Sequence, residues 1–284
     1  MDVTCARFSS TSELTKVNRS GGKWVPISSL LGSVIDVAIG AAEYTGGAVD
    51  PTTPRMFEVL GTHPEHERWS RSDRQVPLGA PAAPAGRWRT VDRHPSGRAV
   101  RLGPGVHMDL DVIASALCVD RAAARVVEEL GGGAMVRVGR NVVAAGAAPD
   151  GSWRVGVVDG AQVGSRIDEC VVVLRTGGLA QAGPLAAAPR RPSSGLGGTN
   201  GARVPSPPTR TWRAVTAVAP SCLDARVAAD ASVVWGDRAV SRLAQMGVAA
   251  RLVGHHDEVV ELGAWPGTTK LGDGGTRAIT RATA

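Results

Sequence analysis

The chain has 284 residues, of which 43% are hydrophobic and 20% are charged. This length is enough for one large domain or two smaller ones, and the composition excludes a disordered acidic protein, a collagen-like repeat and a polytopic membrane protein. The formal net charge of +6 comes from 32 basic residues, nearly all of them arginine. Since arginine, alanine and glycine are all abundant, as in proteins from GC-rich genomes, the charge says little about a nucleic-acid partner.

Four cysteines stand singly along the chain, without a CxxC pair. This spacing favours reduced, mostly buried thiols over a disulfide framework or a zinc motif. The N-terminus lacks the apolar stretch and cleavage site of a secretory signal, and no window holds 18 uninterrupted apolar residues. We therefore expect a cytoplasmic protein without a membrane span. The cysteines are Cys5, Cys118, Cys170 and Cys222.

The first half of the chain contains two helical patterns separated by a long irregular stretch. Apolar residues at helical spacing predict a helix over 27–44, followed by a glycine turn. Residues 61–95 are rich in proline and histidine without periodicity, which predicts a long loop. Residues 98–112 predict two short strands around Gly-Pro-Gly. A second helix is predicted over 112–130, closed by a run of three glycines.

The second half alternates short strands and helices without a repeated βαβ period, which predicts an α+β fold. We expect one domain over residues 1–263, a Pro/Gly/Ser-rich linker over 184–211 and a disordered tail over 264–284. Strands are predicted at 134–146, 153–160, 169–177 and 211–220, helices at 223–235 and 239–246, and a terminal hairpin at 248–263.

Three local patterns have both a functional and a structural interpretation. The glycine run 131–133 follows a helix, so a helix-ending turn is favoured over a phosphate cradle. Consecutive ligand-type side chains at 255–258 favour a hairpin turn over a metal site. Arginines interleave with tryptophan at 68–74 and 87–93, where a solvated loop is favoured over stacking on nucleobases.

Five strings, taken together, carry a resemblance to one family. They are RF…SEL…N within 7–18, TGGAVDPT at 45–52, MDL…VDRA within 108–122, WRVGV at 153–157 and VTAVAP at 215–220. In this order and spacing they resemble the FAD:protein FMN transferases, the ApbE-like family, over about residues 5–253. Each string alone is weak, but five in order make a specific pattern.

The resemblance implies an α+β fold with mixed or antiparallel sheets and long loops. It also implies an enzyme that takes FAD as substrate, uses Mg²⁺, and attaches FMN through a phosphoester to Thr or Ser of a target flavoprotein. A Gly-rich turn would let backbone approach the flavin or ribose while Asp50 accepts hydrogen bonds from its hydroxyls. Asp50 taken alone, without the resemblance, favours an Asx-turn before a proline. No catalytic residue is implied; the implied flavin-binding residues are Asn18, Ala48, Val49, Asp50, Asp109 and Ser115, and the implied metal-binding residues are Val112 and Asp230.

The chain departs from the family at positions that carry chemistry. Residues 109–116 read DLDVIASA, without the glycines and lysine of the family's DLGGIAKG. Residues 194–206, where the family has HHILDPxTG, contain no His or Asp. We expect the first strand of the family to be missing at the start, through a misassigned start codon or a genuine truncation. Arg140 replaces a glycine of the family's Gly-Gly-Asp. In the metal-binding helix Arg226 replaces Asp and Asp230 replaces Thr, and these two can pair at i,i+4.

These departures leave two functional hypotheses from different classes. The first is the transferase activity of the family, with the target flavoprotein as partner. The second is a catalytically silent paralogue that binds flavin or a protein partner, because metal-binding and acid–base groups are replaced at separate motifs. An arginine-rich nucleic-acid binder is a third interpretation, which rests on charge alone.

Overall fold

The computed structural model of the chain describes residues 2–5, 11–52, 86–158, 169–183, 211–256, 258–266, 268–270 and 279–282. Helices and mostly antiparallel strands in these ranges confirm the predicted α+β class. None of the described helices is both long and apolar enough to cross a bilayer. In chain order they are α1 (Asp2–Cys5), α2 (Glu13–Asn18), α3 (Ser29–Tyr44), α4 (Asp111–Leu130), α5 (Cys222–Trp235) and α6 (Ala239–Met246).

The described strands form three sheets, ordered β1-β3-β2, β13-β11-β10-β9-β8-β5-β4 and β12-β7-β6. All neighbours pair antiparallel except β11 and β13, so the large sheet is mixed, as predicted. The strands are β1 (Val25–Pro26), β2 (Val91–Arg93), β3 (Ala99–Leu102), β4 (Gly133–Val138), β5 (Asn141–Gly146), β6 (Trp153–Val158), β7 (Glu169–Leu174), β8 (Gly177–Ala182), β9 (Trp212–Ala219), β10 (Ala249–Gly254), β11 (Val259–Leu262), β12 (Thr268–Lys270) and β13 (Ile279–Ala282).

Helix α3 forms where the sequence predicts it, because its start is capped and one face is apolar. The Ser28 hydroxyl accepts a hydrogen bond from the Leu31 N–H at 3.2 Å, which satisfies one of the free donors of the first turn. Leu31, Val34 and Ile35 are fully buried in the N-terminal core, together with residues of β3 and of the start of α4. This packing places the turn at the C-terminal end of α3 next to the start of α4.

Helices α4 and α5 pack on one face of the large sheet. Ala225, Ala228 and Ala229 are buried on α5, so this helix lies close to β8 and β9. Gly178 on β8 makes the closest approach, because a Cβ there would overlap the backbone of Cys222. The opposite face of the large sheet packs on the sheet β12-β7-β6 through residues of β5 and β8. The site described below therefore stands on two helices with a rigid support.

The cysteine and turn predictions hold in the described residues. All four cysteines are free thiols, three of them buried, and burial together with Asp120 raises the pKa of Cys222 to about 12. Gly131 ends α4, its N–H donating to the Val127 carbonyl at 3.0 Å. His255 and His256 lie in the turn of the β10–β11 hairpin, while Asp257 lies outside the described residues.

Other predictions need correction. Within 98–112 only β3 forms; the Met108 backbone pairs instead with a side chain, as described below. Of the loop predicted over 61–95, the described part folds into a 3-10 helix (Arg87–Thr90) and β2, because Trp88 is buried and β2 pairs with β3. The earlier part of that loop, the arginine patch 68–74 and the linker 184–210 lie outside the described residues.

The segment 264–284 is also more ordered than predicted where the structure describes it. Thr268–Lys270 forms β12 and pairs with β7, and Ile279–Ala282 forms β13 and pairs with β11. β12 pairs with a strand about 100 residues earlier and β13 with one about 20 residues earlier. The local Gly/Thr/Arg composition carries no signal of either pairing. Strand β8 was missed for the same reason.

Candidate functional site

A small cavity lies where the turn after α3 meets the starts of α4 and the middle of α5. It brings together five predicted site residues from three separate segments, along with Pro51 and Ile113. Its volume is about 20 Å³, which is room for about one water molecule. A nucleotide would therefore bind against the outside of the cavity or displace the residues that line it. The five residues are Val49, Asp50, Asp109, Val112 and Asp230.

The turn after α3 is held by Thr45 and by two glycines. The Thr45 hydroxyl donates to the Ala41 carbonyl at 2.7 Å and accepts from the Val49 N–H at 3.0 Å. Gly46 and Gly47 have φ of 63° and 85°, a region that favours glycine. Ala48 and Val49 are buried in the core beneath the turn. Ala48, a predicted flavin contact, therefore packs inward instead of lining the cavity.

Asp50 is engaged by its own surroundings. One oxygen, Oδ1, accepts from the N–H and the hydroxyl of Thr52 at 2.8 and 2.6 Å, and Oδ2 accepts from the Gly86 N–H at 2.9 Å. This is the Asx-turn alternative noted from the sequence. The carboxylate is 6% exposed and joins two segments that are 36 residues apart in the chain.

Asn18 positions the entrance to α4 through a two-bond clamp. Its amide N–H donates to the Met108 carbonyl at 2.9 Å, and its carbonyl accepts from the Met108 N–H at 2.8 Å. The next residue, Asp109, donates its backbone N–H to the Pro51 carbonyl at 2.8 Å. The Asp109 carboxylate is half-buried and accepts from the Asp111 N–H at 3.1 Å. Asn18 thus acts on the cavity through the backbone that carries Asp109.

The first turn of α4 uses its polar atoms internally. The Ser115 hydroxyl donates to the Val112 carbonyl at 2.9 Å and accepts from the Asn141 amide at 3.0 Å. The other amide atom of Asn141, Oδ1, is buried without a hydrogen-bond partner in the described structure. The carbonyl of Val112, the implied metal ligand, thus already accepts a hydrogen bond from a side chain.

Asp230 forms a bidentate ion pair with Arg226, one helical turn earlier on α5. Arg226 Nε lies 2.7 Å from Oδ2 and Nη2 lies 3.0 Å from Oδ1. The two side chains are 15% and 7% exposed. Burial raises the pKa of Asp230, while the charges of Arg226 and Arg140 oppose that rise. The pairing predicted from the i,i+4 spacing is therefore confirmed, and it occupies both carboxylate oxygens.

Arg140 lies next to this pair. It stands in the turn between β4 and β5, and its Nη1 donates to the Gly183 carbonyl at 3.1 Å. Burial and the charge of Arg226 lower the pKa of Arg140, and Asp230 partly offsets this. The sequence identified Arg140 only as a replaced glycine. The structure places it in a cluster of two guanidinium groups and one carboxylate.

The described residues do not fit a bound Mg²⁺. Magnesium is held by oxygen ligands, usually one or two carboxylates. Here both Asp230 oxygens are occupied by Arg226, and two cationic side chains stand beside them. Among the described residues, no cluster of three or more His, Cys, Asp or Glu side chains could hold a metal ion. The implied metal ligands Val112 and Asp230 thus meet at the cavity but do not form a metal centre.

The sequence matches the model of the ApbE family over residues 1–252. The chain belongs to the ApbE family. None of the curated proteins matches it significantly. The family assignment agrees with the resemblance of the five strings and covers all of the cavity residues.

Solved ApbE structures have the same fold. An ApbE protein from Thermotoga maritima is 22% identical, with a TM-score of 0.66, covering 89% of this chain and 83% of that one. The apo flavinyl transferase ApbE of Pseudomonas stutzeri is 19% identical, with a TM-score of 0.66 and coverage of 95% and 81%. The flavin transferase ApbE of Vibrio cholerae is 19% identical, with a TM-score of 0.65 and coverage of 92% and 83%.

Within this ApbE fold, sequence reasoning missed one further polar contact. Asp120 on α4 accepts from the N–H groups of Cys222 and Leu223 at 2.7 and 2.9 Å. Its carboxylate thereby caps the start of α5, which carries Arg226 and Asp230. In the sequence, Asp120 stands out only as part of the VDRA string. Its contact with α5 could not be predicted, because it joins residues about 100 positions apart in the chain.

Proposed function

We propose that this ApbE-family chain binds FAD and transfers its FMN half to a Thr or Ser hydroxyl of a target flavoprotein. The observation that carries the proposal is the cavity, which joins the TGGAVDPT turn, the start of α4 and the middle of α5. Residues implied by the family resemblance come together there from segments about 60 and 120 positions apart in the chain. Membership in the family supports the same substrate.

Within this proposal, Asp109 is the carboxylate that contacts the flavin nucleotide. It lines the cavity and is half-buried, so part of it can reach a ligand. Asp50, Asn18 and Ser115 act instead as positioning residues, since their polar atoms bind Thr52, Met108 and Val112. Ala48 and Val49 support the turn from below. The flavin would approach the backbone of the glycine turn.

The transfer exchanges one phosphorus–oxygen bond for another. The acceptor hydroxyl oxygen bonds to the phosphorus of the FMN half, the pyrophosphate bond breaks, AMP leaves and the hydroxyl proton passes to a base. The negative charge that develops on the phosphates must be neutralised. Since the described residues do not fit Mg²⁺, we assign no step to this cation.

A silent paralogue that binds flavin without transferring it is the second candidate. The Arg226–Asp230 ion pair favours it, because a carboxylate held by a guanidinium is withdrawn from chemistry. The two candidates share FAD binding and differ only in the covalent step. An experiment that detects the covalent product therefore separates them.

The test is to incubate the purified protein with FAD and an acceptor domain that carries the target threonine. The transferase proposal predicts a fluorescent band of flavinylated acceptor on a denaturing gel. An acceptor with Thr replaced by Ala should give no band, and an active ApbE enzyme serves as positive control. If the control enzyme labels the acceptor and this protein never does, the transferase proposal is wrong and the silent paralogue stands.

A further inference from the structure

Two arginines donate to the end of the same strand. Arg226 Nη1 lies 3.4 Å from the Gln181 carbonyl, and Arg140 Nη1 lies 3.1 Å from the Gly183 carbonyl. These carbonyls are two residues apart at the end of β8, so the guanidinium groups come from α5 and from the β4–β5 turn to one place. Their proximity is also seen in the pKa of Arg140, which Arg226 lowers.

This cluster has more positive than negative charge. Asp230 is bound in bidentate fashion by Arg226, and in the described part of the chain no carboxylate forms an ion pair with Arg140. Two half-buried guanidinium groups therefore share one carboxylate, which is costly because burial removes part of their hydration. An anion placed beside Arg140 and Arg226 would remove that cost.

Asn141, the residue after Arg140 in the chain, has one buried polar atom without a hydrogen-bond partner among the described residues. The residue is 4% exposed, and its Oδ1 has no partner while Nδ2 donates to Ser115. Rotating the Asn141 amide about its terminal bond exchanges the positions of its oxygen and nitrogen. Oδ1 would then accept from the Ser115 hydroxyl, which gives up its hydrogen bond to the Val112 carbonyl, and Nδ2 would become a donor for a ligand. A buried amide with one unused polar atom is unusual without a ligand or water.

The acidic walls of the cavity restrict where an anion can lie. Asp50, Asp109 and Asp230 all line the cavity, so a phosphate inside it would be repelled. The side of Asp230 that faces Arg226 and Arg140 is positive instead. Arg226 makes three hydrogen bonds in the structure and has five N–H donors in total, which leaves donors for a second anion.

We propose that Arg140 and Arg226 form a metal-independent binding site for the pyrophosphate of FAD, on the arginine side of Asp230. This inference rests on the proposed function and specifies how its substrate is held. Guanidinium groups match phosphate oxygens in geometry and stay charged at all ordinary pH values. The two arginines therefore supply the positive charge that a divalent cation would otherwise bring, since the described residues do not fit Mg²⁺.

The test is isothermal titration calorimetry of the full chain with FAD and, separately, with inorganic pyrophosphate, in EDTA and in Mg²⁺. We expect both ligands to bind in EDTA, with an affinity that Mg²⁺ does not raise. Arg140→Gln should weaken both about tenfold or more, as loss of a charged hydrogen bond predicts. Arg137→Gln is the matched control, because Arg137 is exposed on the same β4–β5 hairpin and loses the same charge.

A second variant guards against loss of the fold. Arg226→Gln combined with Asp230→Asn leaves the net charge and side-chain size nearly unchanged, and it should also weaken FAD in EDTA. Far-UV circular dichroism and thermal midpoints report folding of each variant. The arginine site would be wrong if FAD binding needed Mg²⁺, or if Arg140→Gln and Arg137→Gln lost the same amount of affinity. Either result would still agree with the proposal that the protein binds FAD. Absence of FAD binding in the native protein would overturn the proposed function as well.

Discussion

At the scale of single residues, the ion pair of Arg226 and Asp230 fixes the position of the one buried carboxylate on α5 that lines the cavity. Four-residue spacing on a helix was enough to predict this pair, and the structure confirms it. The clamp of Asn18 on Met108 could not be predicted, because it joins residues 90 positions apart. Local patterns thus identify side chains that meet within an element and miss those that meet between elements.

We predict that Arg226→Met destabilises the protein by about 3 kcal/mol near neutral pH, because it leaves the buried Asp230 carboxylate without its partner. Burial then raises the pKa of Asp230 further above that of the unfolded chain. Since the folded state keeps a proton that the unfolded state loses, stability falls as pH rises between the two pKa values. Urea unfolding at neutral pH and near pH 4, about the unfolded pKa of Asp, should show a smaller loss at the acidic pH.

The matched control for this prediction is Arg226→Met combined with Asp230→Leu. Replacing a buried pair by apolar side chains is often nearly neutral, so the double variant should recover most of the stability at neutral pH. A double variant as unstable as the single one would show that the loss comes from packing of the arginine stem. An unchanged single variant would show that the pair contributes nothing to folding.

At the scale of elements, the cap that Asp120 places on α5 holds the two site helices together. Its carboxylate accepts from two N–H groups in the first turn of α5, where the helix dipole favours negative charge. Ser221 caps the same turn by accepting from the Asp224 N–H at 3.0 Å. The start of α5 is therefore satisfied both from its own chain and from α4.

We predict that Asp120→Ala lowers the free energy of unfolding by about 2 kcal/mol, because two backbone donors lose a charged acceptor. It should also weaken FAD binding by displacing Arg226. Glu128→Ala is the control, since Glu128 is exposed on the same helix and should change stability by less than about 0.5 kcal/mol. Chemical denaturation measures the free energy of unfolding of both variants. Equal values for the two variants would contradict the role of the Asp120 cap.

Helices were more predictable from the sequence than strands. The amphipathic or Ala-rich patterns of α3, α4, α5 and α6 gave bounds within two residues of those observed. Strand β8 was missed because its sequence, GGLAQA, has no β-branched residue and no alternation. It is a strand because β5 and β9 pair with both of its edges and α5 covers it. These stabilising contacts are not local in sequence.

At the scale of the whole molecule, the site forms because three segments that are distant in sequence meet at one cavity. Order and spacing of the five strings predicted the family and therefore the fold, and both are confirmed. The order of the strands and the small volume of the cavity could not be predicted, because both depend on pairing and packing between distant segments. The net positive charge said little about a nucleic-acid partner, and Arg140 and Arg226 show that part of it belongs to an internal cluster.

The Arg226–Asp230 pair occupies both oxygens of the one carboxylate that the family resemblance assigns to a metal, so we predict that the protein does not hold a divalent cation there. Titration of the native protein with Mn²⁺, followed by electron paramagnetic resonance with and without FAD, measures this. We predict that the native protein shows no saturable Mn²⁺ binding that depends on Asp230, so Asp230→Asn should leave the Mn²⁺ titration unchanged. Stoichiometric Mn²⁺ binding in the native protein that is lost in Asp230→Asn would show that Asp230 binds a metal ion despite its pairing with Arg226.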